Sequence, residues 1–179
     1  MLKPNNDWEW YYESECNSLL LDLGNEYVFR VSIPMKNLVP TAKESSSFSV
    51  NDAATFQIFN ESLKDLDIVD NRGPEVLLNA IAAVRYHKPL MPKSWFFTDS
   101  GVDFSPQQGE VVTMCNDLNC GRFLILENSG AASLCICIEA SFELSESKTL
   151  HFCETIKVMN DRMSQYQQQS HANNYALVG

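Results

Sequence analysis

PEVLLNAIAAVRYHKPLMPKSWFF, residues 74–97, joins two kinds of sequence in one run. Its first part reads as a helix. Pro74 and Glu75 open it, because proline is tolerated in a first turn and an acid there suits the helix dipole. From Val76 to Val84 apolar residues fall on nearly every face, which predicts a helix central to a core. Pro89 ends it, since the ring disfavours helical geometry in the residue before. The second part gathers Arg85, Tyr86, Lys88, Lys93, Trp95, Phe96 and Phe97, and no acid occurs between Glu75 and Asp99. In a chain with 13 Lys+Arg against 23 Asp+Glu and a net charge of −10, this is a local reversal of sign.

The period of apolar residues differs on the two sides of this seam. Before it, WEWYYE (8–13) places Trp8, Trp10 and Tyr12 on one strand face. LLLDLG and YVFRVSI then flank a turn at Gly24-Asn25, so residues 8–33 read as a three-stranded antiparallel meander. Residues 34–47 read as a loop. Asn51 or Asp52 then caps a helix with Phe56, Phe59, Leu63 and Leu66 at helical spacing. After the seam, SWFFT, EVVTMC, RFLILE and SLCICIEASFEL alternate with turn-rich pieces, the rhythm of a small antiparallel barrel or sandwich. A closing helix is expected from about residue 153, with Ile156, Met159, Met163 and Tyr166 on one stripe. The expected class is α+β. It comprises an N-terminal α/β domain over residues 1–90 (antiparallel meander with two helices), a small β-barrel-like domain over 91–168 closed by a helix, and a flexible tail over 169–179.

Composition and motifs exclude several classes. The start MLKPNNDWEW has no apolar run after Lys3, and residues 76–84 fall far short of the ~20 apolar residues that span a bilayer, so the expected setting is the cytoplasm, without membrane insertion. A pI near 4.6 argues against a nucleic-acid partner, which requires a broad basic face. Three histidines in no recognisable arrangement, with no GxSxG and no phosphate-binding loop, indicate neither a catalytic triad nor a nucleotide cofactor. The six cysteines are expected to be free thiols that pack as small apolar groups. A zinc- or thiol-containing small cytosolic enzyme is the alternative. Cys115 and Cys120 are spaced CxxxxC, Cys135 and Cys137 share a strand face, and Cys153 or His151 could join them.

PNNDWEWYY, LLLDLGNEYVFR, VNDAATF, VLLNAIAAVRYHKPLMPKSW and IKVMNDRM together resemble the ZapC family of bacterial cell-division proteins, in order and across both halves. The resemblance implies a cytoplasmic, non-enzymatic, monomeric protein without cofactor that goes to the midcell division ring. There it would bind the acidic filaments of FtsZ, with the C-terminal FtsZ segment as a candidate contact, and stabilise and bundle them. For such a partner the acid-free stretch is the candidate contact. Arg85, Lys88 and Lys93 would steer, and Tyr86 and Trp95 would anchor, because exposed ion pairs supply only about 0.2–1 kcal/mol each. Bundling requires a second contact, for which Lys157 and Arg162 on the expected last helix are the candidates.

Overall fold

A computed structural model describes residues 2–168 of the chain. The expected tail over 169–179 lies outside the described residues.

The N-terminal meander forms as its alternation requires. Strands β1 (Glu9–Glu13), β2 (Ser18–Asp22) and β3 (Val28–Arg30) pair antiparallel in register, Trp10 opposite Leu21 and Leu21 opposite Phe29. A two-residue strand β4 (Ser46–Ser47) adds to the other edge of β1, giving the order β3-β2-β1-β4. One face of this sheet, led by Trp10, Leu19 and Leu21, is buried.

Helix α1 (Val50–Leu63) is capped two residues before Asn51, the earlier of the two expected caps. Ser49 is the cap, and Asp52 stands at the third helical position, where each side chain meets the other's backbone N–H in a capping box. Phe56, Phe59 and Leu63 are buried, as their spacing predicts. Helix α2 (Gly73–Tyr86) is buried from Val76 to Ala83 and again at Tyr86. Even Asn79 is interior, where its Oδ1 accepts the Ser32 N–H at 2.9 Å.

The second half is an open five-stranded antiparallel sheet, not a closed barrel. Its strands are β5 (Val111–Cys115), β6 (Cys120–Asn128), β7 (Ala132–Cys137), β10 (Thr155–Met159) and β11 (Ser164–Gln165), in the order β10-β7-β6-β5-β11. A hairpin of β8 (Ser141–Ser145) and β9 (Lys148–His151) forms a separate two-stranded sheet.

Both faces of the larger sheet are covered, and the alternation along its central strands sorts side chains between two cores. Leu124, Leu126, Leu134, Ile136 and Ile138 pack with α1, α2 and the N-terminal sheet. Phe123, Ile125, Cys135 and Cys137 face the other way, toward Phe97, Phe142, Leu144 and Leu150. One core is thus shared between the two halves of the chain, with α2 at its centre.

Two expected elements are absent among the described residues. SWFFT is not a strand but a 3₁₀ turn over Ser94–Phe96. The closing helix is replaced by β10, a 3₁₀ turn over Asn160–Arg162, and β11. Here period two wins over period 3.6. Ile156 and Val158 are both buried in the second core, and β10 pairs with β7 over its whole length, from Thr155 opposite Ile136 to Met159 opposite Ala132.

Candidate functional site

Arg85 and Tyr86, two of the expected contacts, are engaged within the fold, Tyr86 buried and Arg85 partly buried. The Arg85 guanidinium pairs with the buried carboxylate of Asp52, donates to the Ser47 carbonyl at 2.9 Å, and reaches the Ser46 hydroxyl. The same Asp52 oxygen accepts the Trp10 indole N–H at 3.0 Å and the Ser49 N–H at 2.9 Å. Tyr86 packs edge-on against Trp10 with ring centroids 5.7 Å apart, and its burial raises its pKa. Neither side chain is free to meet a partner. Sequence alone hides this, because the pairing depends on α1 lying beside the end of α2.

His87 closes α2 and ties it to the second half. Its Nδ1 lies 2.7 Å from the Lys88 carbonyl, which can only accept, so Nδ1 carries the proton. Nε2 lies 2.7 Å from the Thr155 hydroxyl on β10 and accepts from it. Burial lowers the His87 pKa, with the Lys88 carbonyl acting in the opposite sense. Lys88 itself is exposed, but its ammonium donates to the Lys36 carbonyl at 3.0 Å.

Lys93 and Trp95 are at the surface. Trp95 is 71% exposed, while Phe97, two residues on, is buried and stacks on Phe142 at 5.5 Å. The 3₁₀ turn makes this division, since in an extended strand both rings would point the same way. Trp95 forms one wall of an open cleft of about 520 Å³. Phe96, Asn116, Asp117, Leu118, Leu144 and Glu146 are among the other residues that line it. The Lys148 ammonium lies 5.5 Å from the centre of the Phe96 ring, a cation–π arrangement at the cleft edge.

Lys157 and Arg162 are not on a helix and not at a separate place. Lys157 sits on β10, and its carbonyl accepts the Lys93 N–H at 2.8 Å. Arg162 ends the 3₁₀ turn and is tied down by Asp161 at 2.8 Å, Asp99 at 3.4 Å and the Ser94 carbonyl at 3.4 Å. The structure therefore gathers Lys93, Trp95, Lys157 and Arg162 around one short segment, and separates them from Arg85 and Tyr86. Lys148 and Leu118 were missed by sequence reasoning. Each is a lone residue in a turn-rich stretch, and only the folding of two hairpins, β5–β6 for Leu118 and β8–β9 for Lys148, brings them to the Trp95–Phe96 segment.

The cysteines do not converge. Cys115 and Cys120 face each other across the β5–β6 hairpin and form a disulfide, which corrects the expectation of six free thiols. The register of a tight hairpin sets this pair 4.0 Å apart at Cα. Cys135 and Cys137 point into the second core, where burial raises both thiols, Cys137 to about 12. Cys153 lies in the first core and is raised to about 12 by burial as well. No described helix is long and apolar enough to cross a membrane.

Known proteins match the chain from end to end. Residues 1–88 match the family model described as cell-division protein ZapC, N-terminal, and residues 89–169 the model described as cell-division protein ZapC, C-terminal. The chain is 48% identical over 180 residues to the cell division protein ZapC of Photobacterium profundum, and 45% identical over 180 residues to that of Aliivibrio salmonicida, with 100% of each chain covered in both cases. It is 42% identical over 165 residues to the ZapC of Vibrio cholerae, covering 92% of each chain. The two models between them span both halves of the fold, and the relatives extend over its whole length, so the chain belongs to the ZapC family of cell-division proteins.

Proposed function

We propose that this chain is a non-enzymatic accessory of the cytoplasmic division ring that binds FtsZ at midcell and bundles its filaments as a monomer. The observation that carries the contact is Trp95, an indole 71% exposed at the edge of an open cleft with Lys93 two residues away. An exposed tryptophan forgoes the stabilisation of burial, and tryptophan is a favoured anchor in protein interfaces. Cations around it shape approach rather than affinity: three exposed pairs give about 1–3 kcal/mol, against about −8 kcal/mol for micromolar binding. Burial of Trp95 and Leu118 against an FtsZ segment supplies the remainder.

The cationic contribution rests on Lys93, Lys148 and Lys157, since Arg85 is paired with Asp52 and Arg162 with Asp161. Lys88 keeps a smaller part, because its ammonium is already held by Lys36. Lys157 adjoins Lys93, so it enlarges the first contact and does not supply the second one that bundling needs. Exposed Tyr27 and Val28, at edge strand β3 of the other sheet, are suited to that role.

Co-sedimentation with GTP-assembled FtsZ over a salt series tests the reading. Trp95→Ala should abolish most pelleting, and Lys93→Glu with Lys157→Glu should weaken it more at low salt than at high, both with unchanged melting. Full pelleting of the Trp95 variant removes this surface as the contact.

A further inference from the structure

The Cys115–Cys120 disulfide lies where the proposed contact is built. Cys115 ends β5 and Cys120 opens β6, and Asn116, Asp117 and Leu118 of the loop between them line the Trp95 cleft. The rung beyond the cysteines is hydrogen-bonded, the Asn116 N–H donating to the Asn119 carbonyl at 2.9 Å. Rungs of an antiparallel pair alternate, so the Cys115–Cys120 rung has no backbone bonds of its own, and the S–S bond is its cross-strand tie.

Two hydrogen bonds carry the position of this hairpin to the Trp95 turn. The Cys115 carbonyl accepts the Thr98 N–H at 2.8 Å, and the Asn116 side-chain amide donates to the Phe96 carbonyl at 3.2 Å. The same amide donates to the Glu143 carbonyl on β8 at 2.8 Å, and Asn119 exchanges hydrogen bonds with the Glu143 backbone at 2.9 and 3.1 Å. A shift of Cys115 is therefore felt at both walls of the cleft, Leu118 on the loop and Trp95 on the turn.

This disulfide is poorly suited to be a structural staple, because the loop it closes is too short to contribute much to stability. It is well suited to exchange. Cys120 is exposed and Cys115 half-buried, so an external thiolate can reach the Cys120 sulfur. In the cytoplasm proposed above, disulfides that form are mostly transient or redox-sensing.

Building on the proposed Trp95 contact, we propose that Cys115–Cys120 is a reversible redox site: oxidised, it holds the cleft in its binding shape, and reduced, it loosens the grip on FtsZ. The thiolate of a low-molecular-weight thiol attacks the Cys120 sulfur, the S–S bond breaks, and Cys115 leaves with the electron pair and takes up the proton the small thiol gave up. A second small thiolate attacks the small molecule's sulfur in the mixed disulfide, Cys120 leaves and takes up the second proton, and the two small thiols depart as their own disulfide. Two electrons thus pass to the protein, and the small disulfide reverses the exchange.

The test is NMR of the full chain equilibrated with reduced or with oxidised glutathione, followed by co-sedimentation of each form with GTP-assembled FtsZ. Reduction should shift the Trp95 indole and the Phe96, Thr98 and Leu118 amides, leave Tyr27 in place, and be undone by reoxidation. The reduced form should bind filaments about tenfold more weakly, the loss of one apolar anchor. Cys115→Ser with Cys120→Ser should match the reduced form in either buffer, which separates the effect from any action of glutathione on FtsZ, and its amide dispersion verifies the fold. Cys16→Ser should behave as wild type in both. Identical indole and Leu118 signals in the two states overturn the proposal, as do equal pelleting of the two forms and a thiol titration that finds no disulfide after incubation with oxidised glutathione. The indole shift is read without FtsZ, so it decides the redox site even where pelleting fails in both states and removes the contact instead.

Discussion

Arg85 and Asp52, 33 residues apart, form an ion pair that locks the end of α2 to the start of α1 and, through the Trp10 indole, to the N-terminal sheet. Three elements converge on one carboxylate that is only 5% exposed at its side chain. Removing the guanidinium leaves that charge buried and uncompensated, a loss of about 3 kcal/mol at the low end of the range for broken buried pairs. Arg85→Ala should therefore lower the unfolding free energy by that amount, read as a lower urea midpoint at an unchanged slope. A midpoint within error of wild type would show that water replaces the arginine at no cost. Loss of filament binding in an Arg85 variant reports on folding, not on an interface.

Trp95 gives a spectroscopic handle, because Trp8 and Trp10 are buried and Trp95 is exposed. The difference between wild-type and Trp95→Phe emission should be that of a solvated indole. Assembled FtsZ should shift it to the blue. Trp95→Ala should weaken binding by about 2 kcal/mol, about 30-fold, while changing stability by no more than about 0.5 kcal/mol. An emission indifferent to FtsZ contradicts the assignment.

His87 makes stability depend on pH in a defined direction. Folded His87 binds its proton less readily than the unfolded chain, because burial disfavours the charged ring. Stability is intact above the ordinary histidine pKa of about 6.5 and is lost as pH falls through that value toward the folded one. Between pH 7 and pH 5 the wild type should lose more stability than His87→Asn. Parallel curves would assign the acid sensitivity to other groups.

Thiol chemistry should follow burial. In the native protein Cys16 is the partly exposed free thiol, while Cys135, Cys137 and Cys153 are buried with raised pKa values. A disulfide-exchange reagent at neutral pH should label Cys16 first and the other three only on unfolding. Opening the Cys115–Cys120 bond should cost at most about 2 kcal/mol, because the loop it closes is short. Rapid labelling of Cys135 in the native state would contradict the packing of β7.

At Gly109 the second half lies against α1, beside Ile58 and Ser62. Its φ is +92°, and a Cβ there would lie 2.6 Å from Ile58 Cγ2. Gly109→Ala should destabilise by about 1–3 kcal/mol. Adding Ile58→Ala should relieve the collision and leave the backbone strain, so the pair should be less destabilising than the sum. Strict additivity would mean that strain alone is responsible.

The chain by itself determined what is local and periodic. The alternation in residues 8–33 and 111–150 and the all-round apolar face of α2 can be read without a structure, as can the family, through the run from Val76 to Trp95. These signals survive because each rests on backbone geometry within a few residues. Residues 153–166 misled because Ile156, Met159, Met163 and Tyr166 fit a helical stripe, while Ile156 and Val158 equally fit a strand. The free edge of β7 decided between them, and it is a partner remote in sequence. The surface was decided in the same way. A run of cations and rings looks alike whether its members point in or out, and only tertiary packing spent Arg85 on Asp52 and Tyr86 on Trp10 while leaving Trp95 in solvent. Burial of a charge depends on where its counter-charge folds, and that distance is written in the fold, not in the spacing along the chain.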